Sequence, residues 1–119
     1  MKVWHDDIRP APEGWTWART NTDAIRLLVE NEVSEISLDH DLGLHHFTED
    51  EIEADPDLLF GRGQAEETGY DLVNGMCENG YVPPKVTIHS WNPDGARAMA
   101  ARLNYFGHDC TISPYVVKR

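Results

Sequence analysis

Short apolar segments alternate with amphipathic segments along this chain, and that alternation limits the available folds more than any other feature. The apolar segments have strand length, and the segments between them have helical periodicity. Strands that alternate with helices form parallel sheets with right-handed crossovers and helices on the sheet faces. The predicted strands are KVWH (2–5), EISL (35–38), KVTIH (85–89) and DCTISP (109–114). The sequence therefore predicts an α/β fold, a compact three-layer sandwich around a mainly parallel sheet of four strands.

The first predicted helix lies in NTDAIRLLVENEV, which follows a loop rich in proline and glycine. Ile25, Leu28 and Val29 share one face of this helix and are expected to point into the core. Asn21 or Thr22 is the expected N-cap, because either side chain can accept a hydrogen bond from a backbone N–H group of the first turn.

Two further helices are predicted to begin near TGYDL and WNPDG. Gly80 should end the second helix, while Asn92 should cap the third and Pro93 should occupy its first turn. Gly107 is suited to terminate the third helix. The inner faces are predicted to contain Leu72, Val73, Met76 and Cys77 in the second helix, and Ala96, Met99, Leu103 and Phe106 in the third.

The composition suits one domain over residues 1–119, because 40% hydrophobic residues without repeats or linkers fit a single core. An acidic insertion at 44–65 is expected within it. No apolar run has the length of a membrane span, and MKVWHDDIRP lacks the apolar core of a signal peptide. Cys77 and Cys110 lie among apolar residues, which favours buried thiols over a disulfide. These features predict a cytoplasmic protein.

The chain has a formal net charge of −11 at pH 7. Duplex DNA and RNA are bound by basic surfaces, so this excess of acids disfavours duplex nucleic acid as a partner. A small phosphorylated ligand is compatible with the charge, because a divalent cation can convert a cluster of carboxylates into a phosphate site.

Polar side chains occur at the carboxyl end of each predicted strand. Ligands of parallel α/β sheets bind beyond these strand ends, so side chains from four segments are expected to meet at one edge of the sheet. The residues concerned are Asp6 and Asp7 at the first strand, Asp39, His40 and Asp41 at the second, His89 and Ser90 at the third, and Ser113 at the fourth.

The acids at this edge predict a divalent cation site. Asp6, Asp7 and Asp39 offer the hard oxygen ligands that suit Mg²⁺ or Mn²⁺, with Asp41 as a further ligand or a base that orients water. The alternative interpretation is that these acids cap loops and the starts of neighbouring helices.

Two histidines are candidates for acid–base chemistry at the same edge. His40 lies between two acids and is the predicted general acid, whereas His89 is the predicted base or phosphate ligand. The alternative is a structural, hydrogen-bonding role for either residue. His5 lies in a predicted strand and is expected to be structural.

Arg9, Ser90 and Asn92 are the predicted substrate-binding residues. Ser90 and Asn92 can donate hydrogen bonds to phosphate oxygens, close to the amides that open the third helix. Arg9 can clamp a phosphate or neutralise the adjacent acids, and Asn92 can instead serve as the N-cap.

Four segments in the order DDIRPAPEGW, SLDHDLG, TGYDL and IHSWNPDGARAM resemble the cyclic-phosphate processing receiver domain, a divergent relative of response-regulator receivers. The resemblance extends from Val3 to about Leu103 and implies a receiver-like, flavodoxin-like fold. The short span between Asp7 and Asp39 indicates an abbreviated version, from which one strand–helix unit is missing.

The resemblance also implies roles for individual positions. Asp39 corresponds to the phosphoacceptor of receivers, Asp41 to a carbonyl ligand of the metal, and Ser90 to the hydroxyl residue. The receiver lysine corresponds to Ser113, ahead of Pro114, so the lysine that holds a phosphoryl group is absent. This departure disfavours phosphorelay.

The predicted function is a metal-dependent hydrolase of a cyclic phosphate or cyclic nucleotide, in the prokaryotic or phage conflict signalling that the resemblance implies. The expected location is then the host cytoplasm if the chain is viral. Its predicted catalytic residues are Asp39, His40, Asp41 and His89. A non-catalytic nucleotide-binding or partner-binding module and a phosphoaccepting receiver are the alternatives. A Toprim-like nuclease also pairs acids at strand ends, but the absence of a basic track disfavours it.

Overall fold

The computed structural model describes residues 1–40, 54, 68–90 and 92–114. Within these residues the strands are β1 (Lys2–His5), β2 (Thr16–Ala18), β3 (Glu35–Leu38), β4 (Lys85–Ser90) and β5 (Thr111–Pro114). The helices are α1 (Asn21–Glu30), α2 (Gly69–Asn79) and α3 (Pro93–Tyr105). Asp41 and the predicted insertion at 44–65, apart from Ala54, lie outside the described residues.

The strands form one sheet in the order β2-β1-β3-β4-β5, and every neighbouring pair is parallel. This order is that of a receiver-like or flavodoxin-like α/β fold, so the predicted fold class is confirmed. The carboxyl ends of β1, β3 and β4 lie side by side, because His5 pairs with Leu38 and Leu38 pairs with Ile88. The residues that follow these strands therefore meet at one edge.

The prediction of four strands was wrong, because β2 lies in a segment that was expected to be loop. A strand of three residues that pairs with β1 alone is too short to show a period-two pattern. The early strand is therefore present, and the abbreviation lies in residues 6–15, which connect β1 to β2 without a helix.

The described helices pack on one face of the sheet, where Val3, Ile36 and Val86 are aligned and buried. α1 packs against α2 and α2 against α3 in a single layer. Successive strand residues point to opposite faces, so Trp4 and Ser37 lie on the other face. Of the three predicted layers, the described residues provide the sheet and one helical layer.

The inner face of α1 differs from the prediction. Leu28 is buried and Ile25 is partly buried, but Val29 is 52% exposed and Ala24 takes its place in the core. Ala24 and Leu28 are four residues apart and therefore lie one above the other, whereas Val29 is rotated by about 100° from Leu28. The N-cap is Thr20, whose side chain accepts a hydrogen bond from the Asp23 N–H group.

The later helices agree more closely with the prediction. All the predicted inner-face residues of α2 are buried, and Gly80 ends this helix in the left-handed conformation, at φ 76°. Asn92 caps α3 and Pro93 is its first residue, as expected. Phe106 was wrongly assigned to the core, because it forms the C-cap of α3 and is 37% exposed. Cys77 and Cys110 form no disulfide, as expected.

His5 is a structural residue of the core, as predicted. It is fully buried, its Nε2–H group donates to Asn21 Oδ1 at 2.9 Å, and Nδ1 accepts from the Asp39 N–H group at 3.4 Å. Asn21 in turn donates to the Thr68 carbonyl at 3.0 Å. The Asn21 side chain therefore forms hydrogen bonds within the core and does not cap α1. Burial lowers the pKa of His5 from 6.5 to about 4, against the raising effect of the Asn21 hydrogen bond.

This lowered pKa predicts that the metal-free protein loses stability between pH 7 and pH 5. The unfolded chain binds a proton on this histidine below pH 6.5, while the folded chain does so only near pH 4, so stability falls as the pH falls. We expect His5 to contribute about 2 kcal/mol of the decrease in the free energy of unfolding. Urea denaturation in EDTA at the two pH values measures it. His5→Gln should make the dependence shallower by this amount. An equal slope in wild type and His5→Gln would contradict the assignment.

Candidate functional site

Three buried aspartates form an acidic cluster at the carboxyl edge of the sheet. Asp6 and Asp7 follow β1, and Asp39 follows the neighbouring strand β3. A carboxylate oxygen from each residue lies within 4.8 Å of the other two. The structure therefore brings together the three residues that the sequence predicted as metal ligands. Carboxylate oxygens are the ligand type that Mg²⁺ and Mn²⁺ prefer, so this donor set fits such an ion.

Asp6 is held by four hydrogen bonds. Oδ1 accepts from the backbone N–H groups of Ile8 at 2.9 Å and Arg9 at 2.8 Å. Oδ2 accepts from Arg9 Nε–H at 2.8 Å and from His89 Nε2–H at 3.1 Å. Burial alone would raise the pKa of Asp6, but the hydrogen bond from His89, the two backbone donors and the charge of Arg9 together lower it. Asp6 is therefore a carboxylate in the folded protein.

Arg9 lies inside the acidic cluster. Besides its contact with Asp6, its Nη2 atom is 3.6 Å from Asp39 Oδ2, and the side chain is only 13% exposed. Of the two roles predicted for Arg9, the structure places it in contact with the acids that it would neutralise. Within the described part of the chain, these three carboxylates and the Arg9 guanidinium together have a formal charge of −2.

His89 lies beside this cluster, on the sheet face opposite to His5. Its ring is buried and stacks on Trp4, with centroids 3.8 Å apart and planes 8° apart. Nε2–H donates to Asp6, which leaves Nδ1 to accept from the Ser37 hydroxyl at 2.6 Å. Burial lowers the pKa of His89, while the hydrogen bond and charge of Asp6 oppose that effect. Both ring nitrogens are therefore engaged, and proton transfer through His89 requires one of these hydrogen bonds to be exchanged.

His40 lies on the other side of the cluster, against the start of α3. Its backbone N–H group donates to Asp39 Oδ1 at 2.9 Å, and its half-buried ring packs against Gly95. Asn92 Nδ2 is 3.5 Å from His40 Nδ1, while Asn92 Oδ1 accepts the Gly95 N–H group at 2.8 Å. Asn92 thus caps the helix with its oxygen and faces His40 with its nitrogen. Ser90 Oγ accepts the Asn92 N–H group at 3.1 Å, which orders the turn between β4 and α3.

A close backbone contact fixes the segment that carries Asp39. The Gly69 N–H group donates to the His40 carbonyl at 2.8 Å, and a Cβ atom at Gly69 would overlap the Asp39 carbonyl oxygen. Only glycine permits this approach between the start of α2 and the end of β3. The position of Asp39 therefore depends on Gly69.

We expect Gly69→Ala to destabilise the protein by about 1–3 kcal/mol or more, because the backbone of Asp39 must move. The same variant should bind Mn²⁺ more weakly than wild type. Gly75→Ala, in the same helix, is the matched control, because its Cβ would lie 3.8 Å from Ile25 Cδ1, an ordinary contact. It should stabilise the protein by about 0.5–1 kcal/mol. Urea denaturation and a Mn²⁺ titration measure both effects, and equal stability of the two variants would contradict the role of Gly69.

The sequence interpretation missed Ser37, Trp17 and Arg19. Ser37 is buried in β3 and orients His89, but no spacing marks it among other small strand residues. Arg19 directly follows β2 and so lies at the same edge of the sheet as the predicted site residues. Recognition of β2 as a strand would have drawn attention to Arg19 as another residue at a strand end.

The fold and the site define a receiver-like domain, with a parallel sheet in the order 2-1-3-4-5 and acids at the carboxyl ends of its first and third strands. The family model of the cyclic-phosphate processing receiver domain matches residues 1–105 of the 119, so the chain belongs to that family. No curated protein and no solved structure matches the chain. Among the residues described, no helix is both long and apolar enough to cross a membrane.

Proposed function

We propose that this chain is a metal-dependent hydrolase of a cyclic phosphate, with a cyclic nucleotide as the substrate class. The observation that carries the proposal is the cluster of three buried carboxylates, each with an oxygen within 4.8 Å of the other two. Burial of carboxylates this close together is costly, and a divalent cation would offset that cost. Membership of the cyclic-phosphate processing family supports the choice of substrate.

Asp7 and Asp39 would hold the Mg²⁺ or Mn²⁺ ion. Asp6 would join them only by giving up one of its hydrogen bonds, because its two oxygens already accept four. When bound, the cation supplies charge neutralisation for the phosphate oxygens and a more acidic water molecule. Asp41, outside the described residues, belongs to this proposal as a further ligand or as the base that orients water.

His40 would serve as the general acid that protonates the leaving oxygen. Its half-exposed ring lies next to Asn92, and its backbone is attached to the proposed ligand Asp39. His89 is better placed to orient Asp6 than to meet a substrate, because Ser37 and Asp6 engage both of its nitrogens. Asn92 and Ser90 would bind a phosphate oxygen beside His40.

The proposed setting is nucleotide-based conflict signalling in a prokaryote or a phage, within the cytoplasm. The alternatives are a non-catalytic binder and a phosphoaccepting receiver, and each would give a different experimental result.

The test is incubation of the purified protein with cyclic mono-, di- and oligonucleotides in Mg²⁺, Mn²⁺ or EDTA, followed by mass spectrometry. Linear products that depend on the cation are expected. Recovery of unchanged ligand, together with heat release on binding in a calorimeter, would identify a binder instead. A gain of one phosphoryl group in the intact mass after treatment with a small phosphodonor would identify a phosphoaccepting receiver.

A further inference from the structure

Arg19 is an exposed cation that is nevertheless held in a fixed place beside the acidic cluster. Its Nε–H and Nη2–H groups both donate to the Asp7 carbonyl oxygen, at 3.2 and 2.8 Å. Exposed arginine side chains ordinarily sample many rotamers, and fixing one in place costs conformational entropy. Here two hydrogen bonds to the backbone of a proposed metal ligand offset that cost.

The ring of Trp17 contacts the same guanidinium. The Arg19 guanidinium carbon lies 4.7 Å from the centroid of the Trp17 ring, in the range of a cation–π interaction. The Trp17 indole N–H group donates to the Asp6 carbonyl at 2.6 Å, so the ring is itself attached to the acidic cluster. The Asp6 carbonyl group therefore holds the Trp17 ring, and the Asp7 carbonyl group holds the Arg19 guanidinium. The carboxylates of both aspartates remain in the acidic cluster.

Arg9 and Arg19 differ in the contacts that occupy them. Arg9 is mostly buried and pairs with the carboxylates of Asp6 and Asp39, so its charge is already balanced by acids. Arg19 donates to a neutral carbonyl group, and its charge makes no ion pair with any residue in the described part of the chain. An arginine has five N–H donors, and two of these five are used by Asp7, which leaves three directed away from that carbonyl.

We propose that Arg19 binds the phosphate group of the ligand, on the platform that Trp17 provides. This inference rests on the proposed function, because it takes a phosphate at the acidic cluster as its starting point. A planar guanidinium suits the bidentate recognition of phosphate oxygens, and its preorganisation reduces the entropy lost on binding. Arg9 was the candidate for phosphate binding in the sequence analysis. We assign that role to Arg19 instead.

The proposal is tested by calorimetry in Mg²⁺ with three probes: inorganic phosphate, adenosine 3′,5′-cyclic monophosphate, and adenosine as the phosphate-free control. Arg19→Gln should weaken binding of both phosphates about tenfold or more, the usual cost of losing a hydrogen bond to a charged group. Arg19→Lys should restore only part of the affinity, because a lysine cannot contact Asp7 and a phosphate as a fork. The control is Arg26→Gln, an exposed arginine that pairs with Asp23 on α1, and it should bind as wild type does.

A second readout locates the effect at Arg19. In ¹H–¹⁵N spectra of the wild type, addition of phosphate should shift the Arg19 Nε–H signal and the Trp17 indole signal, while adenosine should shift neither. If wild type and Arg19→Gln bind both phosphates equally, or the two signals stay fixed while phosphate binds, the role of Arg19 is overturned and the proposed function stands. If neither phosphate binds to the wild type, the role of Arg19 is overturned, and the panel of cyclic mono-, di- and oligonucleotides decides the proposed function separately.

Discussion

Asp39→Asn should reduce the affinity for Mg²⁺ and Mn²⁺ and remove turnover of a cyclic phosphate, while the fold survives. Changes at groups that merely support a metal ligand cost 10- to 100-fold in affinity or activity, so loss of a ligand charge should cost at least about 10²-fold. An amide retains the shape of the carboxylate and can still accept the hydrogen bond from the His40 N–H group. The cluster would lose one negative charge, and with it part of its attraction for the cation.

The measurement combines a Mn²⁺ titration with product formation from a cyclic nucleotide. Asp23→Asn is the matched control, because Asp23 lies on α1, where it pairs with Arg26 at the surface. This control should bind the cation and turn over substrate as the wild type does. Unchanged cation binding and turnover in Asp39→Asn would show that the acidic cluster is not the site.

Asp6→Ala should cause the largest loss of stability of any single change at the site, about 3–5 kcal/mol. The substitution removes the acceptor of four hydrogen bonds and leaves the Arg9 guanidinium in a largely buried position beside fewer acids. The pKa of Asp6 is lowered in the folded state. Its ionised carboxylate therefore contributes fully to the free energy of unfolding above the ordinary carboxylate pKa, and this contribution is lost as the pH falls from there through the lowered pKa. Urea denaturation at pH 7 therefore measures the full effect.

Two further variants separate the causes of that loss. Asp94→Ala removes an exposed acid that pairs with Arg97, and it should change stability by no more than about 1 kcal/mol. Addition of Arg9→Met to Asp6→Ala should recover part of the lost stability, because the uncompensated guanidinium is removed along with its partner. A double variant less stable than Asp6→Ala alone would mean that Arg9 stabilises the fold through contacts other than its pairing with Asp6.

The sequence was sufficient to predict the acidic cluster, because that prediction depends only on strand ends in a parallel sheet. Asp6, Asp7 and Asp39 follow strands with clear apolar patterns, and neighbouring parallel strands must bring such residues together. The caps Asn92 and Gly80 were predictable for a similar reason, since local backbone geometry favours these residue types at helix ends.

Side-chain direction around the cluster could not be predicted in the same way. His40 follows β3 and His89 lies near the end of β4, but Gly95 makes room for the His40 ring at α3, whereas Trp4 and Ser37 hold His89 beside Asp6. These choices depend on packing between segments far apart in the chain. The edge strand β2 was missed because three residues do not display periodicity, and Arg19 was missed with it.

The most direct test of the central claim is hydrolysis of a cyclic nucleotide in ¹⁸O-labelled water, measured by the mass of the linear product. The account predicts one ¹⁸O atom in the phosphate of the product, formed by the wild type in Mg²⁺ or Mn²⁺. It also predicts no product in EDTA and none with Asp39→Asn. Equal yields with the cation and with EDTA, or no linear product from any cyclic mono-, di- or oligonucleotide, would contradict the assignment of this site as a metal-dependent hydrolase.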